Sequence, residues 1–226
     1  MWRAYLVFLY KVWLREKEEK MDKTVVVKIG SGVVLRNSRR FAKGRMRFIA
    51  RSLNQFRLRA GVDIILVVSG AIARGSRWSP GDDAPSKQFA ATFGWHYLLH
   101  KLKRVFEPYE MELSPALLTA APSGDIERPA EVASLIRTAF AYTFVPVLNE
   151  NDALQPNGFG GNDLLAARIA ILMRAERLVI LSTPEGSPHG YGGPEAKQRA
   201  LAIAEESGIA GCVISDLSEG FLDDLR

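Results

Sequence analysis

A lysine at the exit of a buried strand, followed at once by glycines, carries the most chemical content in this chain. In VVVKIGSG (25–32) three valines precede Lys28, and Gly30 and Gly32 follow it. A β-branched run marks a strand buried on both faces. A lysine there is costly unless an anion meets it. Gly30 and Gly32 let the backbone approach a ligand, with N–H groups turned to phosphate. VVSGAIARG (67–75) offers small residues and backbone donors after Ser69. VPVLNENDAL (145–154) supplies Asn149 and Asp152. GGNDLLAA (160–167) opens a helix with Asn162 and Asp163, and YGGPEAKQRA (191–200) pairs Gly192 and Gly193 with Lys197. Glycines and a lysine at a helix start suit phosphate. Together these residues suit phosphoryl transfer onto an acid: cations neutralise the moving phosphoryl, and carboxylates hold the acceptor's amino group or order the lysines. Such chemistry needs positioning and charge more than covalent steps.

The elements that must position these groups alternate strand and helix. Strands are expected at 25–29, 62–68, 111–118, 144–149, 177–182 and 211–215. Pro115 points the third of these to a sheet edge. Met46, Ile49, Ala50, Leu53 and Phe56 recur at helical spacing, with Gly61 as a stop. Further helices are expected from an N-cap at Ser86 towards Phe106, from Pro129 to Tyr142, from Asn162 to Arg174 and from Pro194. The alternation predicts a three-layer αβα sandwich around a mainly parallel sheet. Ligands of such sheets bind at the carboxyl ends of the strands. Lys28, Ser69, Asn149, Asp152 and Ser182 all fall at or just past those ends.

Composition narrows the alternatives. The 226 residues suit one domain at 22–226 after an N-terminal extension at 1–21, whose aromatic run WRAYLVFLYKVWL is too short to span a bilayer. The formal net charge is +5, with arginines dense at 36, 39, 40, 45, 47, 51, 57 and 59. A solvated arginine-rich helix face beside an anionic substrate is expected rather than a nucleic-acid surface. The single cysteine, Cys212, reads as a packed thiol in a strand and fits a reducing compartment. His96, His100 and His189 are scattered and read as surface or packing residues. There is no Cys/His cluster with metal-ligand spacing, no G-x-x-x-x-G-K-[ST] and no protein-kinase motif set.

In order along the chain, VVVKIGSGVV, LVVSGAIARG, SKQFAATFG, LLT, VPVLNENDAL, GGNDLLAARIAIL and GGPEAKQRALAIAEESGI resemble the amino-acid kinase family, and within it the glutamate 5-kinases. The resemblance runs from about Thr24 to the C-terminus. It implies ATP-dependent phosphorylation of the γ-carboxylate of L-glutamate, the first step of proline synthesis, with Mg2+, in a cytoplasmic homo-oligomer. Another small acid or phosphate as acceptor, or a non-catalytic ligand-binding role, stays open beside it. By motif match Lys28 would contact the transferred phosphoryl, and Ser69, Asp152 and Asn162 would hold glutamate. Gly30, Ser182, Thr183, Gly192 and Gly193 would meet the nucleotide. Lys197 would add a second cation, and Asp163 would order the lysines.

The chain departs from that pattern at the nucleotide side. Gly161 stands where the family has an aspartate (GDND), and LSTPEG replaces LLTD at Thr183. YGGPEAK replaces TGGMSTK, and the intervening nucleotide-enclosing segment shortens to PEGSPHG. No RNA-binding-like PUA segment is read after the domain. The acceptor side is the better preserved of the two.

Overall fold

The computed structural model describes residues 23–37, 39–79, 81–183 and 193–223. The expected extension at 1–21, His189, Gly192 and most of the shortened nucleotide segment lie outside the described residues.

Six strands form one parallel sheet: β1 (Thr24–Ile29), β4 (Asp63–Val68), β5 (Leu113–Leu118), β6 (Val145–Glu150), β7 (Arg177–Leu181) and β8 (Ala210–Ile214). Their order is β5-β6-β4-β1-β7-β8. Pro115 sits in the edge strand β5, as its missing N–H requires. Pro146 lies inside the sheet, and there β6 pairs with β4 only through Val147 and Leu148. A short β2–β3 hairpin (Leu35–Arg36, Arg40–Phe41) stands apart from the sheet.

Strand residues alternate between two cores. Val25, Val27 and Ile29 face α2 (Lys43–Ala60) and α4 (Ala84–Phe106), after α1 (Ser31–Val34) and α3 (Ala71–Gly75). Val26, Ile65 and Leu178 face α5 (Pro129–Ala141), α6 (Asn162–Leu172) and α7 (Pro194–Glu206). This is the three-layer sandwich, with the carboxyl ends of β1, β4, β6 and β7 on one edge. The period of two fixes the site in advance. Lys28 shares the parity of Val26, so it turns towards α6, while Asn149 shares the parity of Val147 and turns towards α4.

Two local expectations shift. The N-cap of α4 is Asp83, not Ser86; its carboxylate accepts from the Ser86 N–H at 2.9 Å and from the Ser86 hydroxyl at 2.8 Å. An aspartate three residues ahead outcompetes the serine because it satisfies that orphan donor while Pro85 opens the helix. The motif glycines of α3 and α4 also serve packing. A Cβ on Gly75 would lie 1.7 Å from the Ala90 carbonyl oxygen, and one on Gly94 would lie 1.7 Å from that of Ala71. The two helices therefore meet backbone to backbone.

Candidate active site

The loops after the central strands are stitched together by main-chain bonds. Gly30 N donates to the Leu181 carbonyl at 2.9 Å, Ser69 N to Ile29 at 3.0 Å, and Ser182 N to Ile214 at 2.9 Å. A side chain at Gly30 would stand 3.0 Å from the Leu181 oxygen. Arg45, from α2, donates to the Gly32 carbonyl at 2.7 Å and so braces the glycine loop. This tie is one role that the arginine run did not announce.

Lys28 reaches into this edge and meets Asp163 on the first turn of α6, with Nζ 2.7 Å from Oδ1; the two side chains are only 4% and 2% exposed. At that distance Asp163 acts on Lys28 both by Coulomb attraction and as a hydrogen-bond acceptor, and both favour the charged lysine. Burial pushes the Lys28 pKa below lysine's ordinary value; Asp163 opposes this, and the field of Lys197 adds to it. Lys28 and Lys197 therefore share one electrostatic neighbourhood. Lys197 also bonds back to the Gly193 carbonyl at 3.4 Å, across the first turn of α7. Gly193 is the N-cap of α7 and contributes no side chain. The helix start, the two lysines and the Gly30 loop form a concentration of positive potential fit for a triphosphate.

The second half of the site lies where β6 gives way to α6. Glu150 N donates to Asn162 Oδ1 at 3.1 Å, and Glu150 Oε1 accepts from Phe159 N at 2.7 Å. Burial raises the Glu150 pKa to about 7 against the Phe159 hydrogen bond, and Asp152 adds repulsion. Asp152 accepts weakly from Asn157 N at 3.4 Å, and burial raises its pKa to about 6. Gly161 stands at φ 105°, ψ 164° before α6. A side chain there would be strained.

A cavity of ≈ 230 Å³ adjoins these carboxylates, lined by Trp95, His96 and Leu99 of α4 and by Asn149, Glu150 and Asp152. Asn149 is 1% exposed, and neither its Oδ1 nor its Nδ2 has a hydrogen-bond partner. A buried amide left unpaired is costly, so its placement argues for a ligand in the cavity. Sequence reading placed Asn149 at a strand end but gave it no role. It also gave Glu150 none, and treated His96 as surface or packing. The period of two along β6 was the available signal for Asn149.

Of the expected residues, the structure joins Lys28 to Asp163 directly and to Lys197 through its field, and it sets Gly30 and Ser182 against one another across Leu181. Asp152 and Asn162 meet only through Glu150. Asn162 spends its carbonyl on Glu150, leaving its amide group for a ligand. Ser69 and Thr183 are half-buried at the same edge. Among the described residues, no three His, Cys, Asp or Glu side chains group to hold a metal ion. A magnesium ion carried in with nucleotide phosphates would supply charge neutralisation beside Lys28 and Lys197. No helix among the described residues is long and apolar enough to cross a membrane.

Residues 23–186 match the model of the amino acid kinase family. The chain is similar to a glutamate 5-kinase of Pasteurella multocida (strain Pm70), 35% identical over 173 residues, covering 74% of this chain and 47% of that protein. It is 37% identical over 172 residues to a glutamate 5-kinase of Corynebacterium glutamicum, covering 73% and 46%. The chain thus spans about half the length of these curated relatives. Among solved structures, a Giardia carbamate kinase superposes with a TM-score of 0.63 at 12% identity, covering 90% of this chain and 95% of that one. A UMP kinase from Bacillus anthracis superposes with a TM-score of 0.61 at 16% identity, covering 90% and 91%.

Proposed function

This chain belongs to the amino acid kinase family, and on that premise we propose that it transfers the γ-phosphoryl of ATP to the γ-carboxylate of L-glutamate. The observation that carries the reading is the meeting of two unlike half-sites on one sheet edge. One is cationic, built by Lys28, Lys197 and two helix or loop starts. The other is acidic and amide-bearing: Asn149 and Asp152 line a half-open cavity, and Asn162 stands beside it through its bond to Glu150 N.

In this reading the acceptor's ammonium pairs with Asp152, and the amides of Asn149 and Asn162 orient it. Its γ-carboxylate points at the cationic edge. Lys28 and Lys197 neutralise charge that develops on the moving phosphoryl, and Asp163 keeps Lys28 aimed and charged. Ser69 adds a small donor at the acceptor's other end, and Ser182, Thr183 and Gly193 border the nucleotide. Magnesium, bound through the phosphates, would supply further charge neutralisation. A fixed cation of this kind is worth roughly 3–4 kcal/mol in the transition state. The same site implies a small-molecule partner and no nucleic acid.

The test is nucleotide consumption with glutamate, aspartate, acetylglutamate and inorganic phosphate offered in parallel. Turnover with glutamate alone is expected. Turnover with another acceptor would move the reading to another acid or phosphate. Triphosphate binding without turnover on any of them would make the chain a binding relative.

A further inference from the structure

The stretch that delivers Asn162 to the site is nearly bare of side chains. Gly158, Phe159, Gly160 and Gly161 lead into α6, and Gly160 and Gly161 stand at φ 79° and 105°. Glycines carry little conformational restraint of their own and lose the most freedom on folding. What holds this stretch must come from its neighbours. The first half of the 151–161 loop is tied by Gln155, whose side chain accepts from Ala120 N at 2.7 Å and donates to the Ala120 carbonyl at 2.9 Å. Gln88 of α4 adds a bond to the Ala153 carbonyl at 3.1 Å. Past Gly158 the ties pass to Glu150. Its Oε1 accepts from Phe159 N at 2.7 Å, and Gly161 N bonds the same carboxylate. Its own N–H donates to Asn162 Oδ1 at 3.1 Å. The contact from Arg168 Nη1 to the Phe159 carbonyl is long, at 3.5 Å. Glu150 is buried, so its bonds are sheltered from competing water.

We propose that Glu150 is a positioning residue of the acceptor half-site, its carboxylate pinning the glycine stretch so that the Asn162 amide reaches an acceptor held at Asp152. The inference rests on the reading of this edge as the acceptor site. Glu150 acts through Asn162, because its hydrogen bonds run to the loop. An ionised carboxylate accepts both N–H groups strongly, and a protonated one gives up part of that capacity. Burial raises the Glu150 pKa to about 7, so the hold weakens as pH falls through that value. The charged and titratable groups around it are Asp152 in the loop, Arg168 on α6 and His96, which lines the same cavity from α4. Asp152 has its own raised pKa of about 6, so the two carboxylates titrate as a neighbouring pair. The ammonium of an acceptor favours the ionised form of both. Acceptor capture therefore rises with pH in two overlapping steps, and the upper one belongs to the hold on the glycine stretch.

Steady-state kinetics of the full chain with L-glutamate and ATP varied in turn, from about pH 5.5 to 8.5, tests the proposal on wild type, Glu150→Gln and Glu150→Ala, with a melting curve for each. At pH 8 Glu150→Gln is expected to raise the glutamate KM about tenfold, the size of one lost charge-assisted bond, and to leave the ATP KM within about twofold. It is expected to melt no lower than the wild type, because it removes a buried charge. Glu150→Ala, which keeps no acceptor atom, is expected to raise the glutamate KM further. The wild-type kcat/KM for glutamate should rise through both steps, and Glu150→Gln should keep only the lower one. His96 is common to the two proteins, so its protonation cancels in the comparison. An unchanged glutamate KM in Glu150→Gln, an unchanged pH profile, or a rise in both KM values with a lower melting temperature would each overturn the proposal. Should Glu150→Ala fail to fold, Glu150→Gln and its pH profile decide. Wild-type turnover with aspartate, acetylglutamate or phosphate in place of glutamate would fail the choice of acceptor alone, and the same comparison with that acceptor then decides the role of Glu150. A wild type inert to all four would overturn both.

Discussion

Removing one partner of the Lys28–Asp163 pair should unfold much of what removing both would leave intact. Both side chains are almost fully buried and 2.7 Å apart. Deleting either leaves the other as an uncompensated charge in the sandwich, at a cost of about 3–5 kcal/mol. A domain of this size shifts its melting temperature by about 2–4 °C per kcal/mol, so Lys28→Met or Asp163→Leu should melt roughly 6–20 °C below the wild type. The double variant Lys28→Met/Asp163→Leu replaces an ion pair by apolar groups of similar volume. It should return to within about 1 kcal/mol of the wild type, or exceed it. Both Lys28 variants should lack turnover, so stability and activity separate.

The pH dependence has a definite sign. Burial lowers the folded-state pKa of Lys28 below 10.5. The unfolded chain then holds the proton more tightly, so this residue makes stability rise with pH between the lowered folded value and 10.5. The wild type should show that rise relative to Lys28→Met. Thermal melts from pH 7 to 10 on the four proteins supply the cycle. Single variants that melt with the wild type, or a double variant no better than the worse single, would refute the buried-pair reasoning.

Asp152→Asn should raise the Michaelis constant for the acceptor far more than that for ATP, because an amide replaces a charge-assisted contact to ammonium; steady-state kinetics with each substrate varied in turn checks this. The Glu150 pKa, raised from 4.5 to about 7, stabilises the fold fully below pH 4.5 and loses about 3 kcal/mol as pH rises through 7. Glu150→Gln should flatten that segment of the stability profile measured by urea unfolding. Gly94→Ala should cost about 3 kcal/mol or abolish folding, since its Cβ would meet the Ala71 oxygen at 1.7 Å; an unaltered melting temperature would mean that α3 and α4 can separate cheaply. A non-hydrolysable ATP analogue should bind on the order of a millimolar, with little preference over the GTP analogue, if the sequence after Thr183 supplies the short nucleotide-enclosing segment expected of it; calorimetry showing low-micromolar, adenine-selective binding would contradict this.

How far the site was legible depended on which physical signal each residue carries. The strand β1 and its lysine could be read because a valine run has one meaning and a charge at its end has few. The layer order followed from alternation of elements. The pairing of Lys28 with Asp163 also lay within reach of the parity rule, since even positions of β1 face α6. It changes what that lysine is. Read along the chain, Lys28 is a cation awaiting phosphate, and Lys28→Ala is expected to cost turnover and leave folding intact. Read in three dimensions it is half of a buried pair, and the same change removes structural charge balance. Asn149 and Glu150 show the opposite limit. Nothing in NENDAL says which of its polar residues has satisfied partners, because satisfaction is a property of neighbours from α4 and α6. Only the packed structure separates Asn162, whose carbonyl is occupied, from Asn149, whose amide has no partner. That difference predicts which asparagine gains most from a bound acceptor. Ligand protection of the fold should therefore fall more in Asn149→Ala than in Asn162→Ala, although unliganded Asn149→Ala should be the more stable of the two.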